Sequence, residues 1–175
     1  LIKCRRFLVA HNANLVRIGQ SKAVHADVQP YLLENIADPN GFLRENGKFA
    51  EHYILCKQVL INAHIVLSTL NSVQQSTMEH VFKVDSRKRR FSCVIVDEAS
   101  QCTELELLMP LVYPITKLIL IGDHKQLPAT IISPLAQRLL YGRSLFERLY
   151  RSFELDPSGP SPVLGLVEQY RMHED

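Results

Sequence analysis

The chain has 175 residues, 46% of them hydrophobic and 22% charged, a balance that supports one buried core and excludes a disordered polar segment. Its formal charge of +2 and pI near 8.4 neither demand nor exclude a polyanionic partner, so local charge has to decide that point. No apolar run reaches the roughly 20 residues of a membrane span, and the first residues do not have the form of a signal peptide.

In chain order, residues 14–18 (NLVRI) predict a strand and residues 49–60 a helix. Three apolar runs follow: 63–67 (AHIVL) before Ser68 and Thr69, 93–96 (CVIV) before Asp97 and Glu98, and 118–121 (LILI) before Gly122 and Asp123. Runs of this kind predict strands buried on both faces of one parallel sheet. Between the second and third, Thr103 and Glu106 have the spacing of a capping box, which predicts a short helix that Pro110 ends. Ser144 and Glu147 repeat that spacing. They open an amphipathic helix with Leu145, Phe146, Leu149 and Tyr150 on or near one face, predicted to pack on the sheet.

Residues 156–162 (DPSGPSP) concentrate turn formers and mark an exposed loop and a candidate boundary. The run Arg87, Lys88, Arg89, Arg90 reads first as a solvated loop before a strand, and second as a nucleic-acid contact or localisation signal. Cys4, Cys56, Cys93 and Cys102 include no CxxC pair, so reduced thiols in an intracellular protein are expected and a zinc site or disulfide framework is not. A chain that opens on Leu1 and stops at Asp175 is expected to be a piece of a longer protein, with sequence on both sides.

In open parallel sheets, ligands bind beyond the carboxyl ends of the strands, where Asp97, Glu98, Gly122 and Asp123 fall. An aspartate there can hold Mg²⁺, and the ion neutralises charge on β and γ phosphates, which suits Asp97. Glu98 is placed to orient and deprotonate an attacking water. The competing reading is that the Asp-Glu pair caps a helix starting at Ala99. Farther on, Gln126 is a candidate γ-phosphate sensor and Asp123 a link between its loop and the metal shell. Beyond the proline-rich loop, Arg171 in EQYRMH is a fixed cation able to bind phosphate oxygens. Taken singly, Gly122-Asp123 is also an ordinary turn and Arg171 an ordinary surface charge.

VIVDEASQ (94–101), LILIGDHKQLPA (118–129), GRSLFERL (142–149) and EQYRMH together resemble superfamily 1B helicases, most closely the senataxin-like enzymes and the nonsense-mediated-decay RNA helicase. The resemblance covers most of the chain from about His64 onward, and LVRIGQSKAVHADVQPYLLE is similar to the family segment leading away from its first RNA-contacting motif. It implies a RecA-like α/β lobe of the P-loop NTPase class, ATP and Mg²⁺ as cofactors, and Asp97 and Glu98 as the Walker B pair. It further implies γ-phosphate contacts from Gln126 in the first lobe and Arg171 in the second. Ser68, Thr69 and Asn71, in Leu67-Ser-Thr-Leu-Asn-Ser72, match the motif whose hydroxyls touch the nucleic-acid backbone, although short hydroxyl side chains also cap helices. Residues 1–162 are then part of lobe 1 and 163–175 the start of the passage into lobe 2.

The family's Gly-x₄-Gly-Lys-[Ser/Thr] loop occurs nowhere in the sequence. Residues 41–48 (GFLRENGK) have the wrong spacing and continue into Phe49 where a hydroxyl is required. The loop is expected before Leu1 and the rest of lobe 2, with the arginine finger, after Asp175, so the chain alone is expected to be inactive. The implied activity of the intact protein is 5′–3′ translocation on single-stranded RNA or DNA, or on RNA/DNA hybrids, in the nucleus or alternatively the cytoplasm, without a membrane. The other reading is a non-catalytic interaction module from a degenerate or truncated helicase. Intact Asp97, Glu98, Gln126 and Arg171 count against it, because folding alone does not require all four.

Overall fold

A computed structural model describes residues 11–20, 24–83, 91–155 and 159–168. Arg171 and the basic run from Arg87 to Arg90 lie outside the described residues, as does part of the predicted 156–162 loop. The chain divides into two compact units, Leu1–Ile95 with Leu105–Ile119, and Val96–Glu104 with Leu120–Asp175.

In the first unit, β1 (Leu15–Arg17) pairs in parallel with β2 (Ile65–Leu67), in the register Leu15 to Ile65, Val16 to Val66 and Arg17 to Leu67. A parallel pair needs a crossover long enough to reverse the chain twice. A 3₁₀ helix (Ala26–Tyr31), α1 (Leu33–Ala37), α2 (Phe42–Glu45) and α3 (Phe49–Ile61) supply it. Gly41, with φ of +70°, turns the chain into α2, where the buried Asp38 carboxylate accepts the Leu43 and Arg44 amides at 3.0 and 3.2 Å. Those are amide hydrogens that a helix start leaves without partners, and the Arg44 guanidinium 3.5 Å away balances the buried charge.

The core of this unit gathers Val16, Ile18, Leu33, Cys56, Leu60, Met78, Val81, Phe82 and Tyr113. Met78 belongs to α4 (Ser76–Met78), which runs on as a π-helical segment, Glu79–Lys83. Phe82 packs on Phe91 with ring centroids 4.5 Å apart, and the Tyr113 hydroxyl donates to the Val73 carbonyl. Burial pushes the Tyr113 phenol up to about 12, with the Glu79 carboxylate adding to the rise.

β3 (Val94–Val96) and β4 (Leu118–Leu120) form a second two-stranded sheet. The Val94 amide donates to the Lys117 carbonyl and the Ile121 amide to the Val96 carbonyl, both at 2.9 Å, so partners advance together and the pair is parallel. The connection between them holds α5 (Glu104–Leu108), which directly follows Thr103, and a 3₁₀ turn (Met109–Val112) containing Pro110, so the α-helix ends where the sequence predicts.

The expectation of one sheet buried on both faces needs correction. Among the described residues the strands form two separate pairs, and alternate residues of the apolar runs are open, with Ile95 61% and Ile119 38% exposed. An apolar run records the capacity for burial; whether a covering element lies over each face is decided elsewhere in the fold.

The second unit continues with α6 (Pro134–Arg138) and α7 (Leu145–Leu155). Ser144 caps α7 by accepting the Glu147 amide at 3.1 Å, but Glu147 turns to Arg151 at 2.7 Å instead of reaching back. Only half of the predicted box is built. Leu145 is buried and Arg148 and Arg151 are exposed, which is the amphipathic pattern expected. No helix among the described residues is long and apolar enough to cross a membrane.

Candidate functional site

The chemistry-bearing residues gather where β3 and β4 end. After Val96 the chain does not enter a helix: residues 97–100 form a turn, and α5 starts only at Glu104. The helix-cap reading of Asp97 and Glu98 is therefore excluded by the structure. Glu98 has φ of +53°, a left-handed conformation that a side-chain-bearing residue adopts at a cost of about 1–2 kcal/mol. It reverses the chain sharply, so that Ala99 and Ser100 turn inward and are buried while Asp97 and Glu98 stay exposed.

Hydrogen bonds tie this turn to the end of β4. The Ala99 amide donates to the Ile121 carbonyl at 2.8 Å, and the Asp123 amide donates to Ser100 Oγ at 3.3 Å. Gly122 sits so close that a methyl group there would approach the Ser100 amide nitrogen to 3.0 Å. The link between the two segments thus runs through Ser100, whose hydroxyl the sequence reading did not single out. Its position directly after the carboxylate pair is the signal that was available.

Within the turn, Asp97 Oδ1 accepts the Glu98 amide at 3.1 Å, and Glu98 Oε2 accepts from Gln101 Nε2 at 3.0 Å. In the neighbouring loop, Asp123 accepts the Lys125 amide at 2.9 Å and Gln126 Nε2 at 3.0 Å. These bonds, the Lys125 amide foremost, hold the Asp123 carboxyl below the ordinary carboxylate value. The loop is braced from α7, where the His124 ring lies over Tyr150 at 4.5 Å between centroids. Arg148 of the same helix grips Glu104 through two bonds of 3.0 and 2.6 Å, 44 residues apart in sequence. No local pattern announces either contact.

Exposed carboxylate oxygens on Asp97 and Glu98, with Asp123 joined to the same turn, are the hard donors that a magnesium ion prefers, and their openness leaves room for its waters and for phosphate. No group of three His, Cys, Asp or Glu side chains that could hold a metal ion occurs among the described residues, so these carboxylates could supply only part of a magnesium shell, with water and phosphate the rest. Ser68, Thr69 and Asn71 belong to the first unit, at and just beyond the carboxyl end of β2, and all three are exposed. Thr69 takes the N-cap position of a 3₁₀ helix (Leu70–Gln74), yet its hydroxyl goes to Ser72 Oγ at 2.9 Å and does not cap the backbone. Ser68 Oγ donates to the Thr69 carbonyl at 2.7 Å.

Parallel strand pairs between helices, with paired carboxylates and a Gly-Asp-x-x-Gln loop joined at adjacent strand ends, have the α/β organisation of the P-loop fold class. Comparison with known proteins agrees. The family described as an AAA domain matches residues 43–134, just over half of the chain. The chain is 42% identical over 121 residues to the probable helicase senataxin of Mus musculus, covering 67% of this chain and 4% of that protein. It is 39% identical over 119 residues to the helicase sen1 of Schizosaccharomyces pombe, covering 68% of this chain and 6% of that protein. Against the DNA replication ATP-dependent helicase/nuclease DNA2 of Mus musculus it is 33% identical over 173 residues, covering 99% of this chain and 14% of that protein. The chain belongs to the AAA-domain family, and over about two thirds of its length it is similar to senataxin and sen1, of whose own lengths it spans only 4% and 6%.

Proposed function

We propose that the chain is part of the first motor lobe of an ATP-dependent 5′–3′ helicase acting on single-stranded RNA or DNA or on RNA/DNA hybrids. The observation that carries this reading is the joining of the Asp97–Glu98 turn to the Gly122–Gln126 loop through Ser100 and Ile121 at the ends of a parallel strand pair. That arrangement supports a reading in which Asp97, Glu98 and Gln126 serve one site from two hydrogen-bonded segments.

Asp97 would hold the Mg²⁺ of Mg-ATP, which when bound neutralises charge on the β and γ phosphates. Glu98 takes the proton of the attacking water, after exchanging its bond from Gln101 for one from that water. Gln126, now held by Asp123, offers its amide to the γ-phosphate, so the state of the nucleotide is read by which partner that amide keeps. Arg171 completes the site from the second lobe, with residues 1–162 belonging to the first and 163–175 opening the passage between them. Ser68, Thr69 and Asn71 bind the nucleic-acid backbone, a contact that carries no sequence preference. The relatives' names and the basic run at Arg87 to Arg90 support a nucleic-acid substrate, and the senataxin-like resemblance supports a nuclear location.

The test is Glu98→Gln in the intact protein. Removing a positioned general base costs about 10²–10⁴-fold in turnover, while ATP binding measured by a fluorescent nucleotide stays at the wild-type level. Turnover within a few-fold of wild type would refute the role of Glu98.

A further inference from the structure

The carboxyl end of the β1–β2 pair carries a pocket that the ATPase chemistry does not use. Arg17, Ile18 and Gly19, at the end of β1, line a cavity of about 190 Å³ together with Phe49 and Tyr53 of α3 and with Gln75 and Thr77. It lies wholly within the Leu1–Ile95 unit. Its volume is below the roughly 300 Å³ at which pockets for whole small-molecule ligands begin, so it suits one flat ring system and not a nucleotide.

The walls have a definite character. Phe49 is 67% exposed, so its ring is open to a guest. Tyr53 is held by a 2.7 Å bond between its hydroxyl and His80 Nδ1, and the Lys57 ammonium lies over its ring at 5.7 Å. The floor is apolar, from Leu32, Leu33 and Cys56, all buried. Burial pushes the Cys56 thiol up to about 11, so it remains neutral. The wall's carboxylate, Glu34, is matched by the Arg44 guanidinium at 3.3 Å. An apolar floor disfavours a phosphate, and the Arg17 guanidinium in the lining already donates to the Gln20 carbonyl at 3.3 Å, whereas the amide of Gln75 and the hydroxyl of Thr77 would be wasted on a purely apolar guest.

The pocket adjoins the segment proposed above to hold the nucleic-acid backbone. The Ile18 amide donates to the Leu67 carbonyl at 2.9 Å, directly before Ser68. A methyl group on Gly19 would come 3.2 Å from Ser72 Oγ, the same oxygen that takes the Thr69 hydroxyl. Unpaired bases of a single strand are recognised by stacking on aromatic faces with hydrogen bonds to their edges. We infer that this pocket receives one unstacked nucleobase of the strand whose phosphates cross Ser68, Thr69 and Asn71. The inference rests on the backbone-contact reading of those three residues.

The experiment titrates the intact protein, without nucleotide, with short fluorescent single-stranded RNAs in which one abasic residue is moved along the strand. Loss of a stacked base is expected to weaken binding about five- to a hundredfold at one position. Phe49→Ala should weaken the unmodified strand by a similar factor and remove that positional penalty, whereas Phe49→Tyr retains it. A penalty that persists unchanged in Phe49→Ala, or no position with a penalty, overturns the pocket assignment. Ser68→Ala with Thr69→Ala tests the underlying reading separately: unchanged affinity and salt dependence in that double variant overturns the backbone contact. Phe49→Ala is checked by circular dichroism, and its exposure makes unfolding an unexpected result.

Discussion

Gln126 Nε2 donates to Asp123 Oδ2 at 3.0 Å, so the candidate phosphate sensor is held by a carboxylate three residues before it. The Lys125 amide bonds the other oxygen of the same carboxylate at 2.9 Å, and the Gln126 amide bonds the Asp123 carbonyl at 3.1 Å. Protonation takes an acceptor from both side-chain bonds, so the carboxyl is held below its ordinary 3.8. The tie is complete above pH 3.8 and is lost as pH falls through the lower folded value. Carbon-detected NMR of the Asp123 carboxyl is expected to give a midpoint below 3.8, and a midpoint at or above that value would show that the bonds do not form in solution. In the intact protein, Asp123→Ala frees Gln126 and is expected to lower turnover about 10–100-fold, as loss of a supporting hydrogen bond does at metal sites.

Gly122→Ala tests the joint between the two strand ends. The added methyl would lie 3.0 Å from the Ser100 nitrogen and 3.3 Å from that of Ala99, and neither backbone atom can retreat without loosening the Ala99 bond to Ile121. Overpacking of this kind costs about 1–3 kcal/mol, to be read from urea unfolding. Gly159→Ala is the control, since nothing lies within 4 Å of the added atom, and it should stay within about 0.5 kcal/mol of wild type. Equal effects from the two substitutions would mean that the close approach at Gly122 is absent.

Tyr113 sets an alkaline limit on the first unit. Its phenol ionises near 10 in an unfolded chain and near 12 in the fold, so between those values the unfolded chain loses a proton that the folded chain keeps. Stability supplied by this group is fully present below pH 10 and is lost as pH rises towards 12. The urea midpoint should fall across that window in the wild type and fall less in Tyr113→Phe. The variant also leaves the Val73 carbonyl without its donor, at a cost of about 1 kcal/mol near neutral pH. Parallel pH profiles for the two proteins would exclude Tyr113 as the source.

The strands and the longest helix were legible because their signals are local. NLVRI contains β1, AHIVL contains β2, and residues 49–60 become α3. The candidate carboxylates were legible for a different reason: VIVDEASQ and LILIGDHKQLPA are long, specific patterns, and they put acids at the strand ends where open parallel sheets bind ligands. Pairing was not legible. The same apolar runs fit one continuous sheet or two separate pairs, and the choice of partner depends on the crossover between residues 18 and 64, whose described residues form a 3₁₀ helix and three α-helices, the first and last of these α-helices sharing one core with β1 and Met78.

The sequence by itself named the candidate residues, Asp97, Glu98, Asp123 and Gln126, by type and spacing, and the family by its motifs. Tertiary structure decided how they are held. That Glu98 takes a left-handed turn and Gln126 rests on Asp123 are local conformations, whereas that Ser100 bridges to Asp123 and that Phe49 and Gly19 line one cavity depend on chain segments distant in sequence meeting in space. Periodicity and spacing report the preferences of neighbouring residues, whereas close approach between backbones is set by packing, and only the folded chain fixes that.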